Sequence, residues 1–112
     1  MKLITAIIRP FKLDEVRHAL LRFGRVACIA EVKAFTPRRE DIDVAHGAAP
    51  NAFFAKIKIE VFVSTEEADR AIEILRHAAQ TNRLGEGDGL IFVSNVERAL
   101  RIRTGAVDDK AL

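Results

Sequence analysis

An α+β sandwich is predicted for this chain: one antiparallel four-stranded sheet with two helices packed on one of its faces. Three observations carry that prediction. Short apolar runs alternate with two helical stripes in the order strand, helix, strand, long loop, strand, helix, strand. The clearest strand, KIKIEVFV (56–63), points Ile57, Ile59, Val61 and Val63 one way and Lys56, Lys58, Glu60 and Phe62 the other. Only one of its faces is therefore core. Finally, 112 residues that are 49% hydrophobic and 30% charged suit a single globular domain spanning 1–112, with no Pro/Gly/Ser linker to divide it.

Each element has its own signal. KLITAIIR (2–9) is short and isoleucine-rich, and Pro10 closes it. Residues 12–23 place Leu13, Val16, Ala19, Leu20 and Phe23 on one helical stripe, with Gly24 as the stop. VACIAEVKAF (26–35) reads as a second strand, buried on both faces in its first half. STEE (64–67) is a capping box: Ser64 can accept from the Glu67 N–H, and the Glu67 carboxylate can reach back. The helix it starts runs to about Gln80, with Ala68, Ala71, Ile72, Leu75 and Ala79 facing inward. LIFVSNV (90–96) is the last strand, followed by a basic segment and a polar tail. The result is the double βαβ of a ferredoxin-like sandwich. Its uncovered face, with Phe62 among charges, is a candidate for self-association.

Composition removes several function classes. Net charge is +2 with both signs interspersed, which leaves no basic footprint for nucleic acid. No apolar run approaches the roughly 20 residues of a membrane helix, and the N-terminal apolar stretch is short for a signal peptide. The single Cys28 cannot form an intrachain disulfide and suits a reducing cytoplasm. No Ser/His/Asp set, nucleophile elbow or carboxylate pair is recognisable, so no catalytic residue and no enzymatic activity is expected. Of the three histidines, His18 and His77 are expected on helix surfaces, while His46 lies beside Asp41 and Asp43 in the long loop, where a weak metal site is an alternative.

Three stretches could carry chemistry. Residues 36–55 form a long connection without periodicity, and such connections are usually functional or disordered. TNRLGEGDGLIF (81–92) lays down Gly85, Gly87 and Gly89 with acids between them. It is either an ordinary turn or a cradle of backbone N–H groups for an anion; it is not a Walker loop, because no GK[ST] follows. RIRTG (101–105) sets Arg101 and Arg103 at period two, so that in an extended segment both guanidiniums project to one side, an arrangement suited to phosphate or carboxylate.

In order and along nearly the whole chain, ITAIIRPFKLDEVRHAL, EVKAF, HGA, KIKIEV, GDG followed by IFV, and VERALRIRTG resemble the PII signal-transduction proteins. That resemblance implies a cytoplasmic homotrimer of ferredoxin-like subunits that binds ATP or ADP in the clefts between subunits. It implies a regulator that controls a partner protein, a membrane transporter or metabolic enzyme, without being a membrane protein itself. By position, 36–55 corresponds to the family's T-loop, 81–90 to its B-loop, and 101–112 to its C-terminal loop and tail. The phosphate contacts then carry over to Gly87, Gly89, Arg101 and Arg103. Glu60 and Phe62 fall where the family lines the adenine pocket, and Lys56 where the T-loop base carries a lysine near the ligands.

The departures are specific. The T-loop start reads FTPRRE, with Arg38 or Arg39 where the family has a glutamine. Chelation of magnesium and 2-oxoglutarate thus lacks its usual ligand, and Arg38 joins the nucleotide-site candidates. There is no Tyr for nucleotidylylation; Pro50 stands near that place. The B-loop carries two extra residues, and Leu90 replaces the family's lysine, so either phosphate affinity is lowered or ligand choice shifts toward ADP or AMP. A different class, a trimeric metal-binding or metal-tolerance protein of the same fold linked to efflux or uptake and using His46 and Asp43, is the alternative.

Overall fold

A computed structural model describes residues 1–25, 27–35, 53–81 and 87–112. The elements are β1 (Lys2–Ile8), α1 (Leu13–Phe23), β2 (Ala27–Ala34), β3 (Phe54–Val63), α2 (Ala68–Ala79) and β4 (Gly89–Asn95), with single 3-10 turns at Pro10–Lys12, Thr65–Glu67 and Asp108–Ala111. The four strands form one sheet in the order β2-β3-β1-β4, every neighbouring pair antiparallel. The ferredoxin-like α+β prediction holds.

Side-chain parity explains the layering. Ile4, Ala6 and Ile8 of β1 and Ile57, Ile59, Val61 and Val63 of β3 are buried on the helix-facing side. They pack with Val16 and Leu20 of α1 and Ala68, Ala71, Leu75 and Ala79 of α2. Leu75 is fully buried, so its truncation to Ala would cost about 2–5 kcal/mol. Both helix ends are built as their residues suggest. The Gly24 N–H donates to the Leu20 and Leu21 carbonyls at 3.1 and 3.2 Å, closing α1. The capping box is present before α2, with the Ser64 N–H donating to Glu67 Oε2 at 3.2 Å.

Glu67 also takes a second partner from a distant element. Arg25 donates through Nε and Nη2 to its two carboxylate oxygens at 3.0 and 2.6 Å, tying the entry of β2 to the start of α2. The Arg25 guanidinium holds the Glu67 carboxyl below the usual range, and the Ser64 N–H adds to this; burial opposes them.

Four expectations change. The first half of β2 is exposed at Cys28, Ile29, Ala30 and Glu31, because β2 is an edge strand. An apolar run looks alike whether its cover comes from the same chain or from elsewhere. Phe54 and Ala55 extend β3 ahead of the 56–63 reading, and β4 starts one residue before the 90–96 reading, at Gly89, and ends at Asn95. The tail is not simply polar and solvated: Ala111 is buried in its 3-10 turn. The fourth, the conformation around Arg101, concerns the candidate site.

Candidate functional site

The two polar constellations occupy opposite ends of the sheet. One sits where β1 exits and β4 enters, since Ile8 lies opposite Gly89 on one side and Ile57 on the other. Asp88 accepts from the Thr81 backbone N–H at 2.7 Å and from the Thr81 hydroxyl, joining the exit of α2 to the entry of β4. Arg9, which is only 7% exposed, donates from Nε to the Gly87 carbonyl at 2.8 Å and lies 3.5 Å from Asp88 Oδ1. Its Nη2 is buried without a hydrogen-bond partner among the described residues. The Thr81 hydroxyl and N–H, and then the charges of Arg9 and Lys12, hold the Asp88 carboxyl below its usual range.

The two described glycines do different work. Gly87 takes φ +84° with open space where a Cβ would stand. Gly89 takes φ +115°, and a Cβ there would fall 1.8 Å from the Ile7 carbonyl oxygen, so close packing of β4 on β1 demands its bare backbone. Lys56 is buried on the open face at this same end, next to Ile57. A cleft of about 280 Å³ runs beside the turn, lined by Arg76, Gln80, Asp88, Gly89 and Leu90 among others.

At the other end, where β3 and β4 finish, lies a larger cavity of about 490 Å³. Cys28, Phe62, Arg98, Arg101 and Ala111 line it. Here the extended reading of RIRTG gives way to a turn. Leu100 bridges Val107, the Arg101 N–H donates to the Ala106 carbonyl at 2.8 Å, and the Gly105 N–H donates back to the Arg101 carbonyl at 2.8 Å. The chain reverses because these backbone groups satisfy one another locally, which a period-two pattern of arginines cannot reveal. Arg101 Nε reaches the Ala111 carbonyl at 2.9 Å, so the buried tail residue holds the guanidinium at the cavity. Arg103 is exposed within the turn. Glu60 sits opposite Cys28 across β2 and β3, with the Lys58 ammonium 3.8 Å away.

Thus Phe62 and Arg101 share one cavity with Glu60 close by, while Gly87, Gly89 and Lys56 gather at the opposite end. Leu3 lies opposite Phe62, and Ile8 lies opposite Gly89. Five residues of β1 separate those levels, roughly 17 Å at strand rise. One anionic group cannot touch both clusters of a single chain. Arg38, and His46 with Asp41 and Asp43, lie outside the described residues. Among the described residues no three His, Cys, Asp or Glu side chains form a metal-holding group. His18 and His77 are exposed on α1 and α2 as expected.

Arg9, Thr81 and the Arg25–Glu67 pair escaped sequence reasoning. Arg9 offered one hint, a cation closing an otherwise apolar strand directly before Pro10. The partners of Arg9 and Arg25 stand 78 and 42 positions away and leave no local pattern.

Comparison with known proteins matches these features to one family. The family model described as Nitrogen regulatory protein P-II matches residues 1–106. A "Nitrogen regulatory protein P-II" of Rhizobium meliloti is 48% identical over 107 residues, covering 94% of each chain. "Nitrogen regulatory protein GlnK" of Escherichia coli K12 is 41% identical over 114 residues, covering 100% of both. Among solved structures, Arabidopsis thaliana PII bound to citrate superposes with a TM-score of 0.78 at 29% identity, covering 99% of this chain and 91% of that one. With a family model spanning both ends of the sheet and relatives aligned along the full length, this chain belongs to the nitrogen regulatory protein P-II family.

Proposed function

We propose that the chain is a signal-transduction regulator that assembles as a homotrimer and binds an adenine nucleotide, ATP or ADP, between subunits. The observation that carries this reading is the separation of the two half-sites. Bare backbone at Gly87 and Gly89 lies at one end of the sheet, and Phe62 with Arg101 at the other. If the Gly87–Gly89 end of one subunit meets the Phe62–Arg101 end of the next, each cleft gains both N–H donors and guanidiniums for phosphate, plus an apolar wall for the base. Lys56 and Arg38 would add charge from the base of the 36–55 connection, and Glu60 would face the base.

The open sheet face supports self-association. It carries Phe62, Leu90 and Phe92 exposed among Lys58 and Glu60, large apolar side chains grouped on one face. Closed threefold assembly would cover all three copies equivalently. A structural neighbour that holds citrate is in keeping with a fold that receives polyanions.

In this reading residues 36–55 present the ligand state to a partner protein, a transporter or metabolic enzyme, and the chain catalyses nothing itself. Relatives named as regulatory proteins support that role. The exposed thiol of Cys28 fits the reducing cytoplasm, and no helix among the described residues is long and apolar enough to cross a membrane. Leu90 at the family's lysine position favours ADP or AMP over ATP, and the arginines of FTPRRE disfavour magnesium with 2-oxoglutarate.

Calorimetry with ATP, ADP and AMP, together with light scattering for mass, tests the proposal. A trimer that binds at least one adenylate is expected. A monomer indifferent to all three at millimolar concentration would overturn it.

A further inference from the structure

We propose that Arg9, Thr81 and Asp88 form a clamp that aims the Gly87–Asp88 peptide, with Arg9 as the positioning residue for an anionic ligand's phosphate; the ligand part rests on the function proposed above. The geometry is simple. Arg9 Nε captures the Gly87 carbonyl at 2.8 Å from the buried side. No cis peptide bond occurs among the described residues, so the carbonyl and the N–H of that unit point in opposite directions. Holding the Gly87 carbonyl toward Arg9 therefore turns the Asp88 N–H away from it. Apart from its chain neighbours, nothing among the described residues lies within 4 Å of where a Cβ on Gly87 would stand.

The Asp88 side chain, which would otherwise repel an anion at its own N–H, is drawn back by Thr81 and Arg9. Thr81 and Asp88 are tied directly, which closes the neck of the turn. Arg9 and Asp88 also depend on each other. Among the described residues Asp88 is the carboxylate paired with the buried guanidinium, whose Nη2 has no hydrogen-bond partner there, so removing Asp88 would leave a buried cation without its counter-charge.

Two measurements test the clamp. In the ligand-free protein, amide exchange at Thr81 should accelerate at least tenfold in Arg9→Gln and Thr81→Val, and stay as in wild type in Thr81→Ser, which keeps the hydroxyl. Unchanged exchange in both disruptive variants would overturn the clamp whether or not any nucleotide binds. In calorimetry, ATP and tripolyphosphate should weaken at least tenfold in Arg9→Gln, with adenosine within about twofold of wild type. Equal weakening of ATP and adenosine, or no weakening of ATP, would overturn the positioning role. Tripolyphosphate binding without adenosine binding would assign the site to free polyphosphate rather than nucleotide. Should Arg9→Gln fail to fold, the Thr81→Val and Thr81→Ser pair reads the same split. A wild type that binds no adenylate yet shows the exchange pattern would sink the proposed function and leave the clamp standing.

Discussion

At the Gly87–Gly89 end of the sheet side chains hold the backbone, whereas at the Phe62–Arg101 end the backbone holds the side chains. Arg9 grips the first turn from 78 positions away, and the Thr81–Asp88 hydrogen bonds close its neck. The second is a local reversal, closed by the Leu100–Val107 bridge and the Arg101–Ala106 and Gly105–Arg101 hydrogen bonds, with Arg101 anchored on Ala111. The contrast suits two halves of one site. A phosphate cradle of N–H groups works only if its peptides are rigidly aimed. The guanidinium of Arg103, exposed on its turn, can adjust to what arrives.

Substitutions at the two ends should separate these roles, and the largest effect belongs to the backbone end. Gly89→Ala meets both a positive φ and the Ile7 carbonyl, so denaturation should show a loss of about 3 kcal/mol. Gly87→Ala, strained but unobstructed, should lose only about 1–2 kcal/mol. Equal losses would mean that the β1–β4 contact at Gly89 is not tight.

At the arginine end, Arg103→Ala should leave stability nearly untouched, because Arg103 is exposed. Its triphosphate affinity should fall about tenfold or more, the worth of one charged hydrogen bond of about 1.5–3 kcal/mol, while adenosine binding holds. Matching losses for ATP and adenosine would make Arg103 structural. A gain should come from Leu90→Lys. Leu90 is 63% exposed beside Gly89, so an ammonium there could reach a phosphate and raise ATP affinity about tenfold over adenosine. No gain would place the phosphate elsewhere.

The smallest effect concerns pH. The Glu67 carboxyl is held below its usual range, first by the Arg25 hydrogen bonds and then by the Ser64 N–H. A depressed carboxylate stabilises the fold fully above its unfolded value and loses that contribution as pH falls through the folded value. With its side chain 32% exposed, the pair should be worth about 1 kcal/mol at neutral pH. Urea melts of wild type and Glu67→Gln should therefore differ at pH 7 and converge in acid. A gap that persists in acid would point to packing rather than charge.

Much of the fold was legible before any coordinates. Alternation in 56–63 assigned the two faces of β3 residue by residue, and Ile57, Ile59, Val61 and Val63 are all buried. The stripes of α1 and α2, the capping box and the Gly24 stop also stand, since each depends on chemistry within a few positions. The exposure of β2 was misread for the opposite reason: burial depends on neighbours that periodicity does not name.

Local pattern was enough to specify strand order along the chain, helix faces, caps and the residue types able to meet an anion. Three-dimensional packing alone settled which of those residues meet. It placed Gly89 against Ile7, set Arg9 on Gly87 and Asp88, and put the two halves of the candidate site at opposite ends of β1. The physical reason is that periodicity and capping are short-range, whereas a buried guanidinium finds its acceptors across 78 positions of chain, wherever the sheet brings them.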